Sequence, residues 1–186
     1  MNKKKIISYS IIVGDLFHYG HLKMLETAKK NSDYHICGVI GEDIVQKWIK
    51  PVICNLNERK EVIDKIKYVD ETITQDSLDP THNLKKIYKK YPNSKIVLIA
   101  NHIMGGNSIL GMDFINKIGG EVIHHDFYNK LSRDYIKNSF LKAFSKSNNN
   151  IDINDVSIVE SDFFQENFST KANTIINLRK ILKNAK

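Results

Sequence analysis

Long hydrophobic runs are missing from this chain. No apolar stretch approaches the ~20 residues that a membrane-spanning helix needs. A secretory leader is not expected either, because the basic start, Met1 to Lys5, is followed only by a short apolar run without a small-residue cleavage site. Cysteine is scarce, two in 186 residues, and Cys37 and Cys54 lie in or near apolar segments without metal-ligand spacing. They read as reduced thiols of a cytosolic protein. A basic stripe interleaved with aromatics is absent, as is any familiar nucleic-acid module, so DNA or RNA is not the expected partner.

What is present fits a globular domain. Hydrophobic residues make up 41% and charged residues 26%, the balance of a folded chain. The length suits one domain with a substantial core and a short appendage. The net charge is +7, with much of the excess at Lys3 to Lys5, Lys85-Lys86, Lys89-Lys90 and the last residues. Those clusters read as solvated faces and ends. A small anionic substrate is the better use of the excess charge.

Strand and helix patterns alternate along the chain. Lys5 to Val13, rich in β-branched and aromatic residues, and Tyr34 to Ile40 and Lys95 to Ala100 predict buried strands. Shorter strands are expected at Tyr68 to Thr74 and Glu121 to His125. Helices are expected from about Gly20, over Asp43 to Lys50, Asn57 to Tyr68, Asn83 to Tyr91, Gly111 to Ile118 and Ser132 to Phe144. In the third of these, Val62, Ile63, Ile66 and Val69 should face inward. This order predicts a Rossmann-like α/β fold, a doubly wound parallel sheet with helices on both faces. Residues 1–144 are expected to form the main domain and the polar stretch 145–150 a linker. Residues 151–186 form a short C-terminal extension with a helix from about Thr170.

The chemistry concentrates where the first strand gives way to the first helix, at Gly14-Asp15-Leu16-Phe17-His18-Tyr19-Gly20-His21. Open α/β sheets bind ligands beyond the carboxyl ends of their strands. A helix N-terminus there presents unpaired N–H groups and a positive dipole end, both suited to phosphate. Two imidazoles in one short loop add donors that stabilise charge developing on a phosphoryl group. Gly20 permits close backbone approach.

These residues resemble the cytidylyltransferase branch of the HxGH nucleotidyltransferase superfamily. The likeness runs from about Ile6 to Phe144, through GDLFHYGHLKMLETAKK, NERKEVIDKIKYVDETITQDSLD and LSRDYIK. The closest flavour is the group linked with phosphonate metabolism, alongside glycerol-phosphate and choline-phosphate cytidylyltransferases. The resemblance implies transfer of CMP from CTP to a small phosphonate or phosphate ester, with release of pyrophosphate, Mg²⁺ accompanying the triphosphate, and a homodimer. ATP-dependent adenylyl transfer and a nucleotide-binding domain that has lost catalysis are the alternatives.

By the same resemblance His18 and His21 hold and stabilise the triphosphate, and Asp15 shapes the pocket. Gly14, Phe17 and Gly20 complete the nucleotide loop. Arg59 is implied in substrate phosphate binding, with Lys47 or Lys50 as the lysine of the preceding loop. Ser132 and the helix start behind it cradle phosphate; Arg133 adds a cation and Asp134 an anion where relatives carry hydroxyls. After the Lys95 to Ala100 strand relatives often show Gly-Asp-Asp-Trp. Here Asn101 and His102 take that wall, with the Gly105-Gly106-Asn107 loop behind them.

Overall fold

The structure is a computed structural model that describes residues 4–48, 52–101, 109–126, 128, 130–147, 158–160 and 174–176. Five strands, β1 (Ile6–Ile12), β2 (Tyr34–Ile40), β3 (Glu71–Gln75), β4 (Lys95–Asn101) and β5 (Glu121–His125), form one sheet in the order β3-β2-β1-β4-β5. Every pairing is parallel. Six helices connect and follow them: α1 (Tyr19–Lys30), α2 (Glu42–Trp48), α3 (Leu56–Asp64), α4 (Thr81–Lys90), α5 (Met112–Lys117) and α6 (Arg133–Ser147).

The predominance of apolar residues in these strands is explained by burial from two sides. On one face Ile7, Tyr9, Ile11 and Leu98 pack with Leu84 and Ile87 of α4 and Ile115 of α5. On the other, Ile12, Val39, Val97 and Ile99 pack with Met24, Leu25 and Ala28 of α1 and Ile63 of α3. The connection after β1 leads toward β2 and β3, and that after β4 leads the other way, toward β5. The two neighbouring strands therefore flank the topological switch point, where such sheets form their binding crevice.

Three expectations change. Helix α3 ends at Asp64, and its buried positions are Arg59 and Ile63, four residues apart, while Val62 is 50% exposed. Val62 sits about 100° round the helix from Ile63 and so leaves the buried stripe; Ile66 and Val69 pack beneath α1 from the turn that follows. Helix α6 runs to Ser147, into the stretch read as a linker. In place of a helix at Thr174–Ile176 there is a strand, β7, paired antiparallel with β6 (Ile158–Glu160). Both strands are rich in β-branched residues, which fit a pleated surface better than a helix turn.

Candidate functional site

The loop after β1 is built around backbone conformations that few residues accept. Gly14 has φ +75°, and a Cβ there would fall 2.7 Å from Cδ1 of Ile63. Leu16 follows with φ 51°. Two left-handed residues so close together turn the chain sharply from strand to helix.

Helix α1 starts with a capping box made of histidines. His18 is the N-cap, and its Nδ1 accepts from the backbone N–H of Gly20 at 3.1 Å. Three residues on, Nδ1 of His21 accepts from the backbone N–H of His18 at 3.2 Å. Serine and glutamate usually fill these roles. Gly20 makes room for the cap, since a Cβ there would lie 3.0 Å from Cε1 of His18. The two rings lie 3.8 Å apart, and Phe17 stacks on His21 at 5.5 Å.

The cap also fixes the tautomers. A ring nitrogen that accepts an N–H bond carries no hydrogen, so each neutral ring bears its proton on Nε2. Burial drives the pKa of His21 down to about 3, assisted by the neighbouring His18, and burial lowers that of His18 as well. Near neutral pH both rings are therefore uncharged N–H donors. No protein partner is found for either Nε2 among the described residues.

Asp15 is 1% exposed and ties three segments together. Its Oδ1 accepts from the N–H of Cys54 at 2.9 Å and of Ile53 at 3.1 Å. Its Oδ2 accepts from Nε of Arg133 at 2.6 Å. This aspartate joins the β1–α1 loop to the segment before α3 and to the start of α6. Arg133, implied as a phosphate cation, is thereby engaged with Asp15, and its Nη1 lies 3.7 Å from Asp134.

Arg59, implied in substrate phosphate binding, is held within the protein. Its side chain is fully buried. Nε donates to the carbonyl of Cys54 at 3.1 Å, Nη1 to those of Val13 at 2.7 Å and Ile40 at 2.8 Å, and Nη2 to Glu42 at 3.1 Å. Four of its five donors are committed inside the protein. Two of the three carbonyls it collects, those of Val13 and Ile40, lie at the ends of β1 and β2, and the third belongs to the segment before α3, so Arg59 ties that segment to the rim of the sheet.

Sequence reasoning missed Lys137. It lies one turn along α6 from Arg133 and is 8% exposed, and its buried Nζ has no hydrogen-bond partner among the described residues. Burial lowers its pKa and the nearby Arg133 lowers it further, while Asp134 and Asp15 oppose them. Burial also raises the pKa of Asp134, opposed by the nearby Arg133 and Lys137. A buried ammonium without a partner is costly unless an anion arrives to pair with it. The signal lay in LSRDYIK, where Lys137 follows Arg133 at i, i+4 spacing and so shares its helix face.

Ser132 caps α6, its Oγ accepting from the N–H of Tyr135 at 3.1 Å. Lys47 is exposed on α2. Asn101 ends β4 opposite His125 in β5. Lys50, His102 and the 105–107 loop lie outside the described residues. Among the described residues no group of three or more His, Cys, Asp or Glu side chains is placed to hold a metal ion. No described helix is long and apolar enough to cross a membrane.

Residues 14–172 match the cytidylyltransferase-like family model. The chain belongs to that family of nucleotidyltransferases. It is similar to the glycerol-3-phosphate cytidylyltransferase of Bacillus subtilis strain 168, 35% identical over 72 residues, 39% of this chain and 54% of the relative. It is similar also to the FAD synthase of Ferroglobus placidus, 34% identical over 84 residues, 45% of this chain and 53% of the relative. The chain thus spans about half the length of these relatives. Among solved structures, a lipopolysaccharide core biosynthesis protein from Thermoplasma volcanium superposes with a TM-score of 0.49 and 21% identity, over 67% of this chain and 97% of that one.

The buried histidines also set an acid limit on this family member's stability. His35 is fully buried; its Nδ1–H donates to the carbonyl of Tyr68 at 2.6 Å, so its Nε2 accepts from Ser10 at 2.8 Å. Burial lowers its pKa from 6.5 to about 4. As pH falls below 6.5 the unfolded chain takes up the proton first, so stability is full above that value and is lost toward pH 4. Between pH 7 and 5 His35 alone is expected to cost about 2 kcal/mol, read from urea midpoints. His35→Gln should flatten that slope; an unchanged slope would show that His35 is not its source.

Proposed function

We propose that this chain transfers CMP from CTP to a small phosphonate or phosphate-ester acceptor. The observation that carries the reading is the histidine capping box at the start of α1, which presents two neutral Nε2–H donors at a helix N-terminus beside the switch point. An oxygen of the acceptor phosphonate or phosphate attacks the α-phosphorus. The new P–O bond forms as the bond to the bridging oxygen breaks, and that electron pair leaves with pyrophosphate. Negative charge grows on the phosphoryl oxygens in the transition state, and fixed N–H donors favour it more there than in the ground state. The acceptor is already an anion, so no side chain need remove a proton from it.

Lys137 supplies the missing cation. It answers the triphosphate with a buried ammonium whose pKa rises again once phosphate is beside it. Magnesium borne by the nucleotide would neutralise further charge; the described side chains form no cage of their own for it.

Pyrophosphate release, followed with CTP and with ATP over a panel of phosphonates and phosphate esters, tests the reading. Turnover with CTP supports it. Turnover with ATP alone would favour adenylyl transfer, a second reading to which the FAD synthase match lends weight. Nucleotide binding without turnover against any acceptor would mark a domain that has lost catalysis. Lys137→Met should weaken CTP binding by roughly 10- to 100-fold, the worth of a charge-assisted hydrogen bond, without lowering the unfolding midpoint. Unchanged affinity would remove Lys137 from the site.

A further inference from the structure

Two cations of α6 stand near one buried carboxylate of the histidine loop. Asp15, three residues before His18, accepts at Oδ1 from the N–H of Cys54 at 2.9 Å and of Ile53 at 3.1 Å. At Oδ2 it accepts from Nε of Arg133 at 2.6 Å and from the N–H of Ile53 at 3.3 Å. An ionised carboxylate offers about four lone-pair positions. Asp15 is thus fully engaged, with Arg133 as its counter-ion.

Lys137 follows Arg133 at i, i+4 spacing and shares its helix face. It is buried, and its Nζ has no hydrogen-bond partner among the described residues. Asp15 nevertheless lies near enough to act on its charge, as it does on that of His21. Asp134 is the other acid of the group; it too acts on Lys137, and its Oδ1 is 3.7 Å from Nη1 of Arg133. A buried ammonium gains by reaching a carboxylate, and the flexible lysine stem allows it to move. Here the buried carboxylate is already taken.

We infer that Arg133 is a positioning residue: by occupying Asp15 it keeps the ammonium of Lys137 uncommitted and available to a phosphoryl oxygen of the nucleotide. The inference rests on the transferase reading and deepens it. Arg133 then serves phosphate binding through Lys137, without itself having to reach phosphate. Were Arg133 absent, Lys137 would turn to Asp15 and be lost to the nucleotide.

Combined variants, read by CTP calorimetry and by thermal melting, test this. Arg133→Met should weaken CTP binding by roughly tenfold or more. Adding Asp15→Asn should restore the affinity to within a few-fold of wild type, because Oδ1 of asparagine still accepts from Ile53 and Cys54 while the charge that captures Lys137 is gone. Adding Lys137→Met to that pair should abolish the recovery. Melting should follow a different pattern. Arg133→Met alone should melt near the wild type, since Lys137 replaces the lost counter-ion. Arg133→Met with Lys137→Met leaves the Asp15 carboxylate buried without a cation and should melt roughly 10 °C lower. Affinity that stays weak in Arg133→Met with Asp15→Asn would overturn the inference and place Arg133 on the phosphate itself. A fall of roughly 10 °C in Arg133→Met alone, or no further fall with Lys137→Met, would overturn it as well. CTP affinities that follow the expected pattern, with no pyrophosphate released to any acceptor, would support the inference and overturn the transferase reading.

Discussion

His18→Asn is expected to lower pyrophosphate release by roughly 10²- to 10³-fold while the protein stays folded. Asparagine is among the best N-cap residues, and its Oδ1 can take over the bond from Gly20 N–H that Nδ1 of His18 now accepts. What asparagine cannot supply is the Nε2–H on the far side of the ring. The expected loss is that of one donor aimed at charge developing in the transition state. His21→Gln makes the matching test, because glutamine at the third helical position also completes a capping box. Alanine at either position removes cap and donor together, adding a stability loss of about 1 kcal/mol. The comparison of asparagine with alanine at position 18 thus separates the two roles of one ring. Turnover that survives His18→Asn and falls only with His18→Ala would make the histidine a cap alone and would sink the proposed mechanism.

Arg59→Met is expected to destabilise the fold by about 3–5 kcal/mol, the cost of breaking a buried charge pair by removing one partner. The carbonyls of Val13, Ile40 and Cys54 would lose their donor, and Glu42 its ion pair. For a chain of this size the melting midpoint should fall by roughly 10 °C. Arg59→Lys should recover little, because one ammonium cannot span four acceptors in the plane of a guanidinium fork. Two of the orphaned carbonyls flank the Asp15 network, so nucleotide binding should weaken together with stability. If CTP affinity collapsed while the melting midpoint held, Arg59 would belong among the phosphate contacts that the family resemblance implies.

Much of the layered architecture was legible because it rests on local patterns. Three segments rich in β-branched and apolar residues pointed to strands buried from both sides, and β2 begins and ends where the sequence pattern does. The Gly-Asp turn and the two histidines marked the site through residue type and position. The C-terminal stretch misled for the same reason: isoleucines and leucines near helical spacing suggested a helix, and pairing with Ile158–Glu160 made a strand of Thr174–Ile176. Helical spacing and β-branched content compete in such a segment, and a partner strand decides between them.

Arg59 and Lys137 show where local pattern ends. Both are basic residues on amphipathic helices, and by composition either belongs on a solvated face. One is enclosed by three carbonyls and a glutamate, and the other is buried with its nitrogen lacking a hydrogen-bond partner among the described residues. Burial of a charge depends on what packs over it, and for these two the partners are remote in sequence: Val13 and Ile40 for Arg59, and for Lys137 the charged group around Asp15. The sequence alone determined the sheet, the turn and the histidine pair, because those follow from backbone preference and hydrophobic period. Only the tertiary structure decided which cation braces the sheet, which is buried with no hydrogen-bond partner among the described residues, and that the histidines cap the start of α1, because these depend on distances between segments that no local pattern encodes.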